Sequence, residues 1–242
     1  MSRNYQLTQW LWGSLDWLFP PVCAGCNRAG FRWCPDCLQQ VKSIPEPACQ
    51  ACGLPLSRPG LCPACKESHP PFEAMRSWAI FEGPIRHAIH SLKYRRNVAL
   101  GDALARYLVE YVRNVGWRVD MVVPVPLGRQ RLKQRGYNQA GLLAKPVSII
   151  QDWHYSPQAV LRFRETRSQV GLSAMERREN ISNAFRADPV QVSGKVILLM
   201  DDVVTTGATL AACSDALREA GAKTVYALTL ARALPHHGFQ IV

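Results

Sequence analysis

The chain has 242 residues, 29 Lys+Arg against 18 Asp+Glu, and a formal net charge of +11. Hydrophobic residues make up 48% and charged residues 19%, enough to bury the core of one or two domains and too apolar for a disordered tail. No run of about 18 uninterrupted apolar residues exists, which excludes an ordinary transmembrane helix.

The most apolar early stretch, Trp10–Phe19, is broken by Ser14 and Asp16. It has neither the basic start nor the small-residue cleavage site of a signal peptide, so the expected location is cytoplasmic, with no membrane insertion. Gln6–Phe19 has helical spacing and carries Trp10, Trp12 and Trp17. It lacks the basic face of a membrane-surface helix, so packing against the protein or a partner is expected.

Eight of the nine cysteines fall in four C-x-x-C knuckles: Cys23/Cys26, Cys34/Cys37, Cys49/Cys52 and Cys62/Cys65. A reducing compartment disfavours disulfides, and each knuckle places two thiolates on one tight turn. Four knuckles supply two tetrahedral zinc sites. The simplest pairing is sequential, Cys23, Cys26, Cys34 and Cys37 on one ion and Cys49, Cys52, Cys62 and Cys65 on the other; spacing alone leaves a crossed pairing open. Pro20–Pro71 is too rich in Pro and Gly to fold around its own apolar core, and structural zinc, worth about 10–16 kcal/mol per site in small fingers, supplies the missing stability. All-thiolate ligation leaves no position for a catalytic water. Residues 1–70 therefore read as a helix plus a double zinc ribbon. With six basic and four acidic residues, they hold little of the net charge.

Residues 71–242 change to an α/β pattern. Ile85–Tyr94 and Val98–Arg113 read as helices, Met121–Val125 as a strand and Tyr137–Ile150 as a helix. Val196–Met200 is an unbroken aliphatic run, as in a strand buried on both faces. Thr209–Ala220 reads as a helix stopped by Gly221, and Thr224–Leu230 as the next strand. Together these make a right-handed crossover unit of a parallel sheet. Cys213 reads as a core thiol, the His87/His90 pair as no metal site, and His236 and His237 as a solvated tail.

The central motif runs Val196-Ile-Leu-Leu-Met-Asp201-Asp202-Val203-Val204-Thr205-Thr206-Gly207-Ala208-Thr209. Ligands of parallel sheets bind beyond the C-terminal strand ends. Free N–H groups and the dipole at the following helix start favour phosphate, and Gly207 lets the backbone approach. At about 6 Å and an effective dielectric constant near 20, two carboxylates repel by about 3 kcal/mol. A ligand with vicinal hydroxyls beside a phosphate, a ribose 5-phosphate, satisfies both. Gly194-Lys195 is followed by Val196, so no Walker A loop is present, and no strand is followed by G-x-G-x-x-G.

Met200–Thr209 resembles the phosphoribosyl pyrophosphate (PRPP) signature of type I phosphoribosyltransferases. More narrowly, the chain resembles the ComF/GntX family of competence and DNA-utilisation proteins. The matching blocks are the knuckles after Leu18-Phe19-Pro20-Pro21; Leu92-Lys93-Tyr94-Arg95; Val123-Pro-Val-Pro-Leu127 with Arg135-Gly-Tyr-Asn-Gln139; and Arg167–Leu172 with Arg177–Asn180 and Ala184-Phe185.

The resemblance implies a type I phosphoribosyltransferase-like parallel sheet flanked by helices, preceded by the zinc ribbons. It implies PRPP and Mg²⁺ at Asp201, Asp202, Val203, Val204, Thr205, Thr206, Gly207, Ala208 and Thr209. It also implies a pyrophosphate-holding surface around Lys93, Arg95, Arg129 and Arg135, and a hood at Glu165–Arg178. Residues 86–137 hold eleven basic and three acidic residues, so the same surface suits DNA phosphates equally well. Thr205 stands where hypoxanthine-guanine enzymes carry an acid, which argues against that salvage role, and no catalytic base is assignable. Two expectations stay open: a transferase acting in DNA uptake, natural transformation or use of DNA as nutrient, with its acceptor unnamed; and a non-catalytic single-stranded DNA or partner-binding module, or a PRPP sensor. The family biology brings in single-stranded DNA and a helicase-like partner, and the superfamily allows a homodimer.

Overall fold

The computed structural model describes residues 10, 16, 20–163 and 184–234. Most of the Gln6–Phe19 helix, the Glu165–Arg178 hood, the blocks Arg167–Leu172 and Arg177–Asn180, and His236 and His237 lie outside the described residues. Among the described residues no helix is long and apolar enough to cross a membrane.

The elements, in chain order, are α1 (Pro35–Gln39), α2 (Pro63–Glu67), β1 (Ala74–Ile80), α3 (Gly83–Tyr94), α4 (Ala99–Val115), β2 (Met121–Pro124), α5 (Arg129–Arg135), α6 (Gln139–Gln151), β3 (His154–Tyr155), β4 (Val160–Arg162), β5 (Phe185–Ala187), α7 (Pro189–Val192), β6 (Val196–Val204), α8 (Ala208–Glu219) and β7 (Thr224–Arg232). Five strands form one parallel sheet in the order β1-β7-β6-β2-β3, and β4 and β5 pair antiparallel beside it.

Central β6 explains its own composition. Leu198 and Met200 pack with α3, α4 and α6, while Ile197 and Leu199 pack with α8 and the β4–β5 hairpin. Successive strand residues face opposite sides, so a strand covered on both faces must be apolar throughout. The strand runs on to Val204, four residues past the apolar stretch, and carries both aspartates into the sheet. Helix α6 starts at Gln139 instead of Tyr137 because the Asn138 side chain caps it, accepting from the Ala140 N–H at 3.0 Å.

Sequence reasoning placed no strand at β1, whose run includes Arg76 and Ser77. Ser77 is buried and bonds Thr229 of β7 at 2.7 Å, which satisfies its hydroxyl inside the sheet. The outer edge of β1 is covered by the ribbon. The Met75 N–H donates to the Ala51 carbonyl at 2.7 Å, and the Ile80 N–H to the Lys42 carbonyl at 2.8 Å. A boundary between residues 70 and 71 falls in the connection between α2 and β1, and the two halves share a core across it: Cys23, Trp33, Cys34 and Cys37 pack with α3 and α4.

Gly53 lets the second ribbon sit this close. Its φ is +68°, and a Cβ there would lie 2.7 Å from the Met75 carbonyl oxygen. Gly53→Ala therefore combines a left-handed backbone penalty with a backbone clash, and is expected to lower stability by about 2–3 kcal/mol in urea denaturation of the zinc-loaded protein.

Candidate functional site

At the C-terminal ends of β2 and β6 lies a cleft of about 270 Å³. The run Asp201–Leu210 forms one wall, and Lys93, Arg131, Arg135 and Arg162 bring four cations to the others. β6 hands over to α8 through Thr205, Thr206 and Gly207. Gly207 has φ +83°, a conformation that side chains with a Cβ rarely adopt. It caps α8 without a side chain, so the first turn of the helix keeps N–H groups for a ligand. Val203, Val204, Thr205, Thr206, Ala208 and Thr209 all line the cleft; Val204 also belongs to the buried core beneath it.

The strand alternation sends the two carboxylates to different neighbours. Asp202 is 4% exposed and faces α3 and α6: Lys93 Nζ lies 2.6 Å from its Oδ2, and Gln139 Nε2 donates to its Oδ1 at 3.3 Å. Arg135 Nη1 in turn donates to Gln139 Oε1 at 2.8 Å, and its guanidinium stands 5.2 Å from the Tyr94 ring centroid. Asp201 retains some exposure toward the cleft but is otherwise deep in the fold above Cys213. Burial, and then the adjacent Asp202 charge, push its carboxyl well above the ordinary value of 3.8. Thus the protein itself neutralises one of the two acids, whereas sequence reasoning assigned both to ligand hydroxyls.

Of the basic residues singled out beforehand, Lys93 and Arg135 line the cleft and Arg95 and Arg129 do not. Arg95 terminates α3 and reaches Asn27 Oδ1 at 3.5 Å. Arg131 stands at the cleft instead of Arg129, because positions four apart share a helix face and Arg131 is four before Arg135. Gln139 went unnoticed although it sits in the quoted Gly-Tyr-Asn-Gln block; a polar residue directly after a helix cap was the available signal. Asn138 also ties the α6 start to the end of β2 through the Val125 carbonyl at 2.9 Å, and Tyr137 Oη donates to the Leu92 carbonyl at 2.8 Å.

The eight ribbon cysteines gather into two sets of four, Cys23, Cys26, Cys34, Cys37 and Cys49, Cys52, Cys62, Cys65, with all ligand atoms in each set within 4.8 Å of one another. The pairing is sequential. Sulfur separations are 3.6 Å for Cys23–Cys37 and Cys26–Cys34, and 3.7 Å for Cys52–Cys62. A tetrahedral zinc with bonds of about 2.3 Å requires neighbouring sulfurs about 3.8 Å apart, so both sets fit structural zinc. Backbone amides support the thiolates: Cys34 N–H donates to Cys23 Sγ at 3.4 Å and Cys62 N–H to Cys49 Sγ at 3.3 Å. Burial works to raise the Cys23 and Cys49 thiols, but backbone N–H groups outweigh it and lower both to about 6. His87 instead bonds the Gly25 carbonyl at 2.9 Å, and the His90 ring packs tilted against Tyr94.

Because Cys37 is a core residue under α3 and α4, Cys37→Ser is expected to do two things: reduce bound zinc from two equivalents to one by elemental analysis, and lower the melting temperature of the whole chain.

Known proteins agree with this architecture. Residues 14–66 match the double zinc ribbon domain and residues 90–236 the phosphoribosyl transferase domain. The DNA utilization protein YhgH of Salmonella typhimurium is 36% identical over 219 residues, covering 88% of this chain and 91% of the relative. Competence protein F of Haemophilus influenzae is 33% identical over 83% of this chain and 90% of its own length. Competence protein ComFC of Streptococcus pneumoniae is 27% identical over 87% of each chain. With its zinc ribbons, its parallel sheet and these relatives, the chain belongs to the competence and DNA-utilisation family of phosphoribosyl transferase-domain proteins.

Proposed function

We propose that the cleft binds PRPP together with Mg²⁺, and that the protein serves DNA uptake or the use of DNA as a nutrient, as the names of its relatives suggest. The observation that carries this reading is one cleft holding a strand-end acid pair, a threonine-glycine anion loop and four cations. The 5-phosphate sits on Thr205–Thr209, where amides and hydroxyls donate. Asp201 accepts from the ribose hydroxyls; Asp202, with Lys93 and Gln139 already on its oxygens, retains acceptor capacity for one more bond. Arg131 and Arg135 hold the pyrophosphate, and Mg²⁺ supplies further neutralisation of its charge. In a transfer reaction the C1–O bond to pyrophosphate breaks with the electron pair leaving on oxygen. The neighbouring carboxylates then favour the positive charge that develops at C1. An acceptor closes the reaction from the opposite face, and pyrophosphate release screened against bases, nucleotides and DNA identifies it.

A single-stranded DNA platform is the second reading, favoured by an adjoining cleft of about 470 Å³. It shares Lys93, Arg131 and Arg135 and adds Arg96, Gln134, Tyr137 and Tyr94, with no carboxylate in its lining. Tyr94 is 63% exposed, an unusual position for a large aromatic residue among cations. Stacking of a base on such a ring contributes about 1–3 kcal/mol.

Two measurements test these readings. In calorimetry with Mg²⁺, Asp201→Asn is expected to weaken PRPP binding about 10- to 100-fold, the worth of one charge-assisted hydrogen-bond set. Its stability should move the other way. The folded chain keeps the Asp201 proton at pH values where the unfolded chain has lost it, so stability falls as pH rises above 3.8. Asp201→Asn removes that penalty: its melting temperature exceeds wild type at pH 8, and the gap closes as pH approaches 3.8. Asp202→Asn is expected to lower the melting temperature, because it strands Lys93. For the second reading, Tyr94→Ala should weaken binding of a single-stranded oligonucleotide about 5- to 100-fold by fluorescence anisotropy, and PRPP binding by less, since the ring touches PRPP only through the Arg135 guanidinium beside it.

A further inference from the structure

The second zinc ribbon packs on β1 and β7, and one buried cation joins it to the strand pair that leads into the phosphate loop. Arg232 ends β7, is 5% exposed, and is in register with Val204 of β6 and Ile80 of β1. Its Nη2 donates to the Cys52 carbonyl, while its Nε is buried with no hydrogen-bond partner. The acidic groups that face it are the four thiols Cys49, Cys52, Cys62 and Cys65. A buried guanidinium without a carboxylate is expensive unless another negative charge stands near. Four thiolates around Zn²⁺ carry a formal charge of −2, which is that negative charge.

The same contact reaches the ligand cleft. The Ala233 N–H, directly after Arg232, donates to the Val204 carbonyl at 2.9 Å, and Val204 is the last residue before Thr205. On the neighbouring strand, Met75 receives the knuckle through its N–H bond to Ala51. The position of a Cβ on Gly207 would be 3.5 Å from Met75 Cε. The second ribbon thus contacts residues beside the phosphate loop on two strands, Arg232 on β7 and Met75 on β1.

We propose that Arg232 is a positioning residue: the counter-cation of the second zinc centre, through which that centre fixes the end of β6 and the Thr205–Gly207 loop. Among the described residues Arg232 is the only buried basic side chain, so the first centre, packed under α3 and α4, has no buried counter-cation of this kind. The role is independent of which phosphate ligand the loop takes; only its effect on PRPP affinity rests on the reading above.

The test uses the full zinc-loaded chain with Arg232→Met, which keeps the length and loses the charge, and Arg232→Lys, which keeps the charge and loses the fork. Zinc release to a chromogenic chelator is followed in time, and alkylation mapped by mass spectrometry reports which cysteine set opens. Loss of an outer-shell partner typically weakens a metal site about 10- to 100-fold. Arg232→Met is expected to release one equivalent faster by that factor, with Cys49, Cys52, Cys62 and Cys65 becoming alkylated and the other four protected. Arg232→Lys is expected to release near the wild-type rate. Hydrogen exchange at residues 204–209 should speed up in Arg232→Met, and in wild type once its second site has been emptied. Equal release from both sites in Arg232→Met would overturn the proposal, as would release from Arg232→Lys as fast as from Arg232→Met. So would unchanged exchange at residues 204–209 after the second zinc has left wild type. Should Arg232→Met fail to fold, the lysine variant and the wild-type exchange experiment still decide. PRPP calorimetry on folded Arg232→Met then separates the two readings: loose loop amides with unaltered PRPP affinity would count against the ligand assignment and leave the zinc linkage standing.

Discussion

An apolar strand buried on both faces that carries two adjacent aspartates near its C-terminal end has to accommodate two acidic groups within one residue's rise. β6 does so by the alternation of its own backbone. Asp202 turns toward α3 and α6, where Lys93 and Gln139 occupy its oxygens. Asp201 turns the other way, toward Cys213 of α8; its Oδ1 accepts from the Asp202 N–H at 2.8 Å, and Lys93 offsets its charge only in part. The division makes the pair chemically unequal. One carboxylate belongs to the framework and anchors Lys93, Gln139 and, through Gln139, Arg135. The other faces the cleft and keeps its proton to a higher pH than an ordinary carboxyl, because burial and the neighbouring Asp202 charge disfavour its ionised form.

The ribbons extend that framework instead of hanging beside it. Their short helices bury few aliphatic residues, and the second cluster's own apolar set is confined to the cysteines, Ala51 and a few half-buried leucines. Metal ligation substitutes for the missing core, and the knuckle it stiffens holds the Ala51 carbonyl against the Met75 N–H of β1. The first ribbon donates Trp33, Cys23, Cys34 and Cys37 to the core of the sheet domain, so the two halves share one apolar interior.

Much of this was legible in the residues. The Val196–Met200 run, the acids after it and the Thr-Thr-Gly turn fix a strand, a site and a helix start because each follows from local rules: two-sided burial, strand-end placement and a left-handed glycine. The cysteine sets were legible from spacing, and only their pairing needed three dimensions. What escaped detection depended on partners distant in sequence. β1 was missed because Ser77 and Arg76 look wrong for a strand until Thr229 and the Gln50 carbonyl are seen to receive them. Arg131 was passed over for Arg129 because the basic stretch was read as a loop, and the choice between them is set by helical phase. Arg232 carried no signal at all, since a lone arginine ending a strand looks like an ordinary surface cation.

The strand order has one more implication. At one margin of the sheet, β3 is only two residues long, too brief to template another chain; at the other, β1 spans seven residues and is shielded by ribbon carbonyls. A chain trimmed to its sheet domain would uncover that long ladder of amides. It would be prone to stick edge to edge to its own copies, so the zinc modules also act as a built-in guard against self-assembly.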